Sequence, residues 1–275
     1  MTLEREITAI GFSNVDEQPA AGALVNYLDV AAGIEVIQQW KNLSYALLEP
    51  RDGASLLDVG CGTGDDVRAL ATMVGTSGRV VGTDVSEAMI AEARARSAGT
   101  NLPVEFRTCD AHELDLPDAS FDGVKVERVL QHVEKPRRVL EEMIRVARPG
   151  ARIVAIEPDW DTLVVDAPDR SLSRRILTFR SDNASHTGPI GRQLAPLFTE
   201  CGLAEVQAQG VNLILRNFVE ANAVFALELW AGRAVEAGVV TEPEADAWSR
   251  SLGDADAAGR FFAAVTGFLV VGRKP

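Results

Sequence analysis

Apolar residues follow two rhythms along this chain, and the change between them divides it. Up to residue 50 they recur at helical spacing, Ile34, Ile37, Trp40, Leu43 and Leu47 forming one stripe that ends at Pro50. From Ser55 onward, short apolar runs alternate with amphipathic segments. The runs at 55–60, 79–83, 103–107, 121–126 and 151–156 read as strands, and the helices between them begin near Asp65, Ser86 and Lys135-Pro136. Ser86 precedes EAMIAEARARS as an N-cap, and Gly150 follows RRVLEEMIRVARP as a helix stop. Five such β-α steps predict a parallel sheet with right-handed crossovers.

Beyond residue 157 the alternation loosens. Residues 157–190 read as a polar, irregular insert around a helix SLSRRILTF. GRQLAPLFTECGL then reads as a short helix closed by Gly202, with Leu194, Leu197, Phe198 and Cys201 as its packing face. EVQAQGVNLIL and AAVTGFLVVG are two further strand candidates. They are separated by one helix, ANAVFALELWAGRAVEAG, and a shorter one after Thr241.

Charge narrows the partners. A formal net charge of -13 sets the overall field against nucleic acid and anionic membranes, leaving a small molecule as the expected partner. MTLEREITAI lacks a basic stretch followed by an apolar core, and nothing supplies the ~18 uninterrupted apolar residues of a membrane span, so a cytoplasmic location is expected. Cys61, Cys109 and Cys201 are far apart and without histidines at ligand spacing, so neither a disulfide framework nor a metal site is expected. Oligomeric state is open.

The chemistry is concentrated in LLDVGCGTGDDV. Gly60, Gly62 and Gly64 mark a strand-to-helix turn that can approach a ligand closely and point amide N–H groups at it. The dinucleotide pattern wants its third glycine where Asp65 stands, and Asp58, Asp65 and Asp66 would repel a pyrophosphate. RVVGTD ends in Asp84, placed to take both hydroxyls of a ribose. Asp110 and Ala111 follow the next strand, suited to reading an adenine edge. A cationic nucleoside without phosphate satisfies all three positions.

In order and spacing, LLDVGCGTG, GTDVSEAMI, CDAHELDLPDASFDGV and VLQHVEKPRRVLEEMIRVARPGARIVAIEP resemble the class I S-adenosylmethionine-dependent methyltransferases. Within them, the order is most similar to the ubiquinone/menaquinone-biosynthesis-like branch, which includes many small-molecule methyltransferases of secondary metabolism. The resemblance covers about residues 55–158. It implies an α/β, Rossmann-like methyltransferase fold: a doubly wound, seven-stranded, mostly parallel sheet whose last strand is antiparallel. Residues 1–50 would form a helical cap and 51–275 the cofactor-binding domain, with an insert at about 157–190 after strand five helping to build the acceptor pocket. It implies that Gly60, Cys61, Gly62 and Gly64 line the methionine portion of S-adenosylmethionine, with Asp58 near its amino group. Asp84 would hold the ribose, Val85 and Met89 would lie against the adenine, and Asp110 and Ala111 would read its edge. Glu127 and Arg128 would face the sulfonium end, where the family usually has small or apolar residues. Tyr27 and Trp40 fall in the segment that folds over the cofactor in similar enzymes, and ordinary packing is the alternative.

Methyl transfer from a sulfonium is an in-line displacement that alignment and water exclusion can drive, so a general base is optional. Candidates are His132 in VLQHVEK, with orientation of its loop as the alternative role, His186 in the insert, and Asp159 beside Trp160 in IEPDWD. Arg174, Arg175 and Arg180 either bind an acidic acceptor or form a solvated helix face, the simpler reading. Two rival functions use the same pocket: a non-methyl reaction such as cyclisation, and a non-catalytic partner subunit.

Overall fold

The computed structural model describes residues 21–275, with the side chains of residues 21–24, 26 and 27 outside that description. Helices α1 (Ala21–Ala32) and α2 (Glu35–Leu48) lead into a βα series. The series runs β1 (Ser55–Val59), α3 (Asp65–Val74), β2 (Arg79–Asp84), α4 (Glu87–Ser97), β3 (Val104–Thr108), β4 (Phe121–Glu127), α5 (Pro136–Val146) and β5 (Ala147–Val165). A 3₁₀ turn, Leu130–His132, follows β4. Then come α6 (Arg170–Asn183), α7 (Ile190–Glu200), β6 (Ala204–Leu215), α8 (Phe218–Phe225), α9 (Leu227–Glu236), α10 (Glu242–Ala257) and β7 (Ala263–Arg273).

The strands form one seven-stranded sheet in the order β3-β2-β1-β4-β5-β7-β6. The first five are parallel, and β7 runs antiparallel to both neighbours. Strand alternation divides the apolar residues between the two faces. Leu56 and Val80 pack with Val67 and Leu70 of α3, whereas Leu57 and Val81 pack with Leu140 and Met143 of α5. A third cluster joins the far end of β5 and β7 to α6, α8, α9 and α10. Burial of these side chains, at roughly 1.5–3 kcal/mol each, fixes which face every strand presents.

The elements differ from the sequence expectation in three places. First, α5 ends at Val146 rather than at Gly150, because Ala147 already pairs with Phe121 of β4. Gly150 instead sits in the left-handed region at φ 81° within β5, its N–H donating to the Lys274 carbonyl at 2.8 Å. Second, residues 157–165 continue β5 instead of forming irregular insert, since Val164 and Val165 pair with Ala264 and Ala263 of β7. Third, the expected single helix after residue 220 is broken at Ala226, which adopts φ 53° and separates α8 from α9. No described helix is long and apolar enough to cross a membrane.

Candidate active site

A cavity of about 420 Å³ opens along the C-terminal ends of β1, β2, β3 and β4 and continues toward α6, α8 and α9. Crevices at this edge are where open α/β sheets bind ligands. At its near end lies the glycine turn. Gly60, Gly62 and Gly64 are all left-handed, with φ of 72°, 51° and 79°. A Cβ on Gly60 would stand 2.2 Å from Cγ2 of Val129, so no side chain fits there.

The turn's amides point inward. Gly60 and Cys61 both donate to the Thr83 carbonyl, at 2.7 and 2.8 Å, and Gly64 donates to Cys61 at 2.9 Å. Gly62 donates to Oδ2 of Asp84 at 2.9 Å, and Ser86 to its Oδ1 at 3.0 Å. The expectation that the N–H groups of Gly60, Gly62 and Gly64 face a ligand is therefore corrected: what the turn offers is close approach. Gly64 does not line the cavity; a Cβ there would stand 2.6 Å from Cε1 of Phe106, so its absence makes room for that ring where α3 meets the sheet. Asp84, by contrast, is aimed by two backbone donors before any ligand arrives.

Around this turn the cavity is lined by Asp58, Gly60, Cys61, Gly62, Asp84, Val85, Met89, Asp110, Ala111, Glu127 and Arg128. Val85 is exposed and Met89 buried. Asp110 is held by His112, whose backbone N–H and Nδ1 lie 2.8 and 2.7 Å from Oδ1, keeping the carboxyl below its ordinary value against the opposing effect of burial. His112 also lines the cavity and had drawn no attention in the sequence, although it lies two residues from Asp110. Trp40 lines the cavity and also packs on β7, where a Cβ on Gly267 would meet its ring at 2.5 Å. Tyr27 belongs to α1, and its side chain lies outside the described residues. Leu28 of α1 lies over Gly62.

Beneath the turn is a buried ionic network set by strand register. Asp58 of β1 is the cross-strand neighbour of Lys125 on β4, and Glu127 falls two residues later on the same face. Lys125 is fully buried and donates to Asp66 and, at 2.8 Å, to Glu127. Asp66 also accepts from Lys41 at 2.5 Å and from the Tyr45 hydroxyl at 2.7 Å, two residues one helical turn apart on α2. Burial alone would raise the Asp66 carboxyl, but Lys125 and Lys41 outweigh it and hold it well below the ordinary value. Asp65 is paired with Arg68. The two aspartates that follow the glycines line the cavity, but each is paired with the protein's own cations. Asp58 is different: burial pushes its carboxyl up to about 7 against the pull of Lys125.

The far end is built from Pro158, Trp160, Arg180, His186, Leu213, Val224, Ala226, Trp230 and Val265, with Gln131 and His132 of the 3₁₀ turn between the two ends. That turn is anchored from below by Glu157, whose Oε1 accepts from Val129 and Leu130 N–H at 2.7 and 2.6 Å. Its Oε2 has no hydrogen-bond partner, and burial lifts the carboxyl to about 8 despite these donors. Trp160 Nε1 donates to Gln131 Oε1 at 2.7 Å, and Thr187 N–H to the Gln131 carbonyl at 3.2 Å, tying the turn to the insert. His132 is pushed down to about 3 by burial first and then by Arg128 and His186. A neutral imidazole of this kind is a weak proton acceptor at neutral pH.

The other expected site residues are placed as follows. Asp159 is fully buried, turned away from the cavity and ion-paired to Arg192 Nη2 at 2.7 Å, so its assignment as a catalytic candidate is corrected. His186 lines the cavity from an exposed position. Arg174 and Arg175 are exposed, Arg175 bridging to Glu244 at 2.6 Å. Arg180 is not part of that solvated face: it is 3% exposed, at the start of α6's last turn, and faces the cavity.

Comparison with known proteins agrees with this geometry. The family model described as a methyltransferase domain matches residues 57–155. An uncharacterized 37.1 kDa protein in transposon TN4556 of Streptomyces fradiae is 42% identical over 248 residues, 90% of this chain and 70% of that one. The ubiquinone/menaquinone biosynthesis C-methyltransferase UbiE of Ralstonia pickettii is 33% identical over 160 residues. That match covers 54% of this chain and 66% of the enzyme, just under two thirds of its length. Among solved structures, the YcgJ protein from Bacillus subtilis shares the fold with a TM-score of 0.59 at 18% identity, covering 86% of this chain and 98% of that one. Sheet order, glycine turn, tethered Asp84 and these matches together place the chain in the class I S-adenosylmethionine-dependent methyltransferases.

Proposed function

We propose that the chain transfers the methyl group of S-adenosylmethionine to an O, N or C atom of a small molecule, of the kind handled in secondary metabolism, held at the far end of the cavity. The observation that carries this reading is the cavity's continuity: it passes from Asp84 and the glycine turn, beneath Arg128 and Val129, to the Trp160–Trp230 end. The near end fits the cofactor because the glycine cradle has no room for a Cβ and Asp84 is preset by Gly62 and Ser86. When bound, S-adenosylmethionine supplies an activated methyl on a sulfonium. Asp84 would hold its ribose, Asp110 and Ala111 its adenine edge, Val85 and Met89 the ring, and Asp58 its ammonium. Helices α1 and α2 act as the cap, and residues 157–190 supply part of the acceptor wall.

The chain's own contribution is alignment. Gln131 and Trp160 fix the wall where the acceptor lies, and apolar residues exclude water from the displacement. His132, neutral and weakly basic, orients rather than deprotonates. The formal net charge of -13 disfavours nucleic acid as a partner.

Calorimetric titration with S-adenosylhomocysteine, with NAD as control, tests the reading. Micromolar binding of the first and none of the second is expected, and binding of NAD alone would overturn it. Asp84→Ala, which removes an ionised acceptor worth about 1.5–3 kcal/mol per hydrogen bond, should weaken S-adenosylhomocysteine at least tenfold while the protein stays folded. In an acceptor screen, a product heavier by one methylene supports transfer, and an isomeric product points to cyclisation.

A further inference from the structure

The methionine portion of S-adenosylmethionine ends in a carbon that carries an ammonium and a carboxylate together. Asp58 suits the first and repels the second. The glycine turn does not answer for the carboxylate, because Gly60 and Cys61 give their N–H groups to Thr83, Gly64 to Cys61 and Gly62 to Asp84. A carboxylate set among Asp58, Asp66 and Glu127 needs a cation beside it, or each of these lining acids repels it.

This end of the cavity does carry cations. Lys41 of α2 and Arg128 line it, and Lys125 lies fully buried beneath. The two lining cations differ in what they reach. Arg128 Nε is 3.7 Å from Glu127 Oε1, and its charge acts on His132 and Glu157 at the 3₁₀ turn. Lys41 reaches the residues around the glycine turn: its Nζ lies 2.5 Å from Asp66 Oδ1 and 3.6 Å from Glu127 Oε1, and its charge pulls on Asp58.

Lys41 is compensated without being used up. An ammonium has a trio of N–H donors; one goes to Asp66, and Glu127 at 3.6 Å is an ion-pair partner beyond hydrogen-bond reach. The side chain keeps 12% of its surface accessible and lines the cavity. Burial alone would favour the uncharged amine, but Glu127 and Asp66 outweigh it and hold the ammonium above its ordinary value. Its placement is firm. One helical turn on, the Tyr45 hydroxyl donates to the same Asp66 at 2.7 Å, and the neighbouring Trp40 is wedged over Gly267 of β7.

Building on the methyl-transfer reading, we infer that Lys41 binds the carboxylate of the cofactor's methionine portion, next to Asp58 on its ammonium, so that this end of the cavity is built for a zwitterion rather than for a cation alone. The carboxylate takes donors of the Lys41 ammonium that Asp66 does not use. Lysine suits the place because a compact charge with rotatable donors can serve a carboxylate on either side. The contact also gives the α2 cap a direct hold on the cofactor.

The test titrates the full chain with S-adenosylhomocysteine and with its decarboxylated analogue S-adenosylthiopropylamine, which keeps the amine and lacks the carboxylate. The wild type should bind S-adenosylhomocysteine at least about tenfold more tightly, as a charge-assisted hydrogen bond would give. Lys41→Met should lose that preference, and Lys41→Arg should keep part of it. A merely structural role for Lys41 would weaken both ligands alike and leave their ratio standing. Equal binding of the two by the wild type overturns the inference, and so does a preference that survives in Lys41→Met, as it would if Arg128 or the first amides of α3 held the carboxylate. Should Lys41→Met fail to fold because Asp66 loses a partner, Lys41→Gln, which keeps an N–H donor without the charge, carries the same expectation. If neither ligand binds the wild type, the methyltransferase reading fails and the Lys41 assignment with it; if both bind equally, that reading stands and the assignment alone falls.

Discussion

Replacing Asp66 by Asn strikes the network beneath the glycine turn at its most connected point. The carboxylate accepts from Lys41, Tyr45 and Lys125 at once, and all three donors are wholly or largely buried. An asparagine keeps an oxygen for two of them but turns an N–H₂ toward the ammonium of Lys125, whose remaining strong partner is Glu127 at 2.8 Å. Removing one member of a buried ion pair costs about 3–5 kcal/mol because the other charge stays buried. For a chain of this size roughly 2–4 °C of Tm accompanies each kcal/mol, so Asp66→Asn should melt about 6–20 °C below the wild type at pH 7. Because the folded-state carboxyl lies well below its ordinary value of 3.8, the stabilisation is fully present above that value. The gap between the two proteins should therefore hold through neutral pH and narrow only as the pH falls below about 4. Lys125→Met in the Asp66→Asn background removes the stranded ammonium and should recover part of the loss. Differential scanning calorimetry of the two variants and the wild type measures all of this. A drop under about 3 °C, or a double variant no better than the single one, would refute the view that register and helix α2 assemble one interdependent network.

Glu157→Gln keeps an acceptor for Val129 and Leu130 but cannot ionise. Since the wild-type carboxyl is raised to about 8 in the fold, its protonated form stabilises the protein at low pH and that advantage is lost as pH rises through 8; Tm measured from pH 5 to 9 should fall for the wild type relative to the variant, and parallel curves would dispose of the argument. Asp58, raised to about 7, must ionise to receive an ammonium, so the Kd for S-adenosylhomocysteine should drop about tenfold from pH 6 to 8. Asp58→Asn should flatten that profile, and an identical slope in the variant would show the titrating group to be another. Ala226 holds φ 53° at the α8–α9 junction, where a left-handed residue with a Cβ costs about 1–2 kcal/mol. Urea denaturation of Ala226→Gly should show a gain of up to about 1 kcal/mol, and a loss would mean that the methyl packs better than the dihedral suffers.

Much of this architecture was legible because it depends on local signals. The glycine turn, the terminal Asp84 of β2 and the Ser86 cap, whose hydroxyl accepts from Met89 N–H at 3.1 Å, are all decided by residues a few positions apart. What escaped was decided across distance. Lys125 alternates with valines in FDGVKVE as a solvated residue would, and its burial is made tolerable by pairing with Asp66, 59 positions away, together with Glu127. Arg180 shares a helix with the exposed Arg174 and Arg175, and which face turns inward depends on Phe225 and Trp160. The length of β5 is fixed by β7, nearly a hundred residues later. Asp159 looked catalytic from its strand end until Arg192, on a helix expected only to pack, proved to hold it.

The inward-facing amides of the glycine turn carry a consequence for how far this pocket can be redesigned. Stripping away Asp58, Asp84 and Glu127 would remove the repulsion toward a phosphate and release the Gly62 N–H that Asp84 now holds, yet three of the turn's amides would stay turned away, because Gly60 and Cys61 are committed to Thr83 and Gly64 to Cys61. That part of the turn's bias against a phosphate lies in main-chain bonding, which side-chain substitution leaves in place. Converting such a site to a phosphate binder would require a different loop, with its carbonyls and amides exchanged, and that is a change of backbone rather than of sequence decoration.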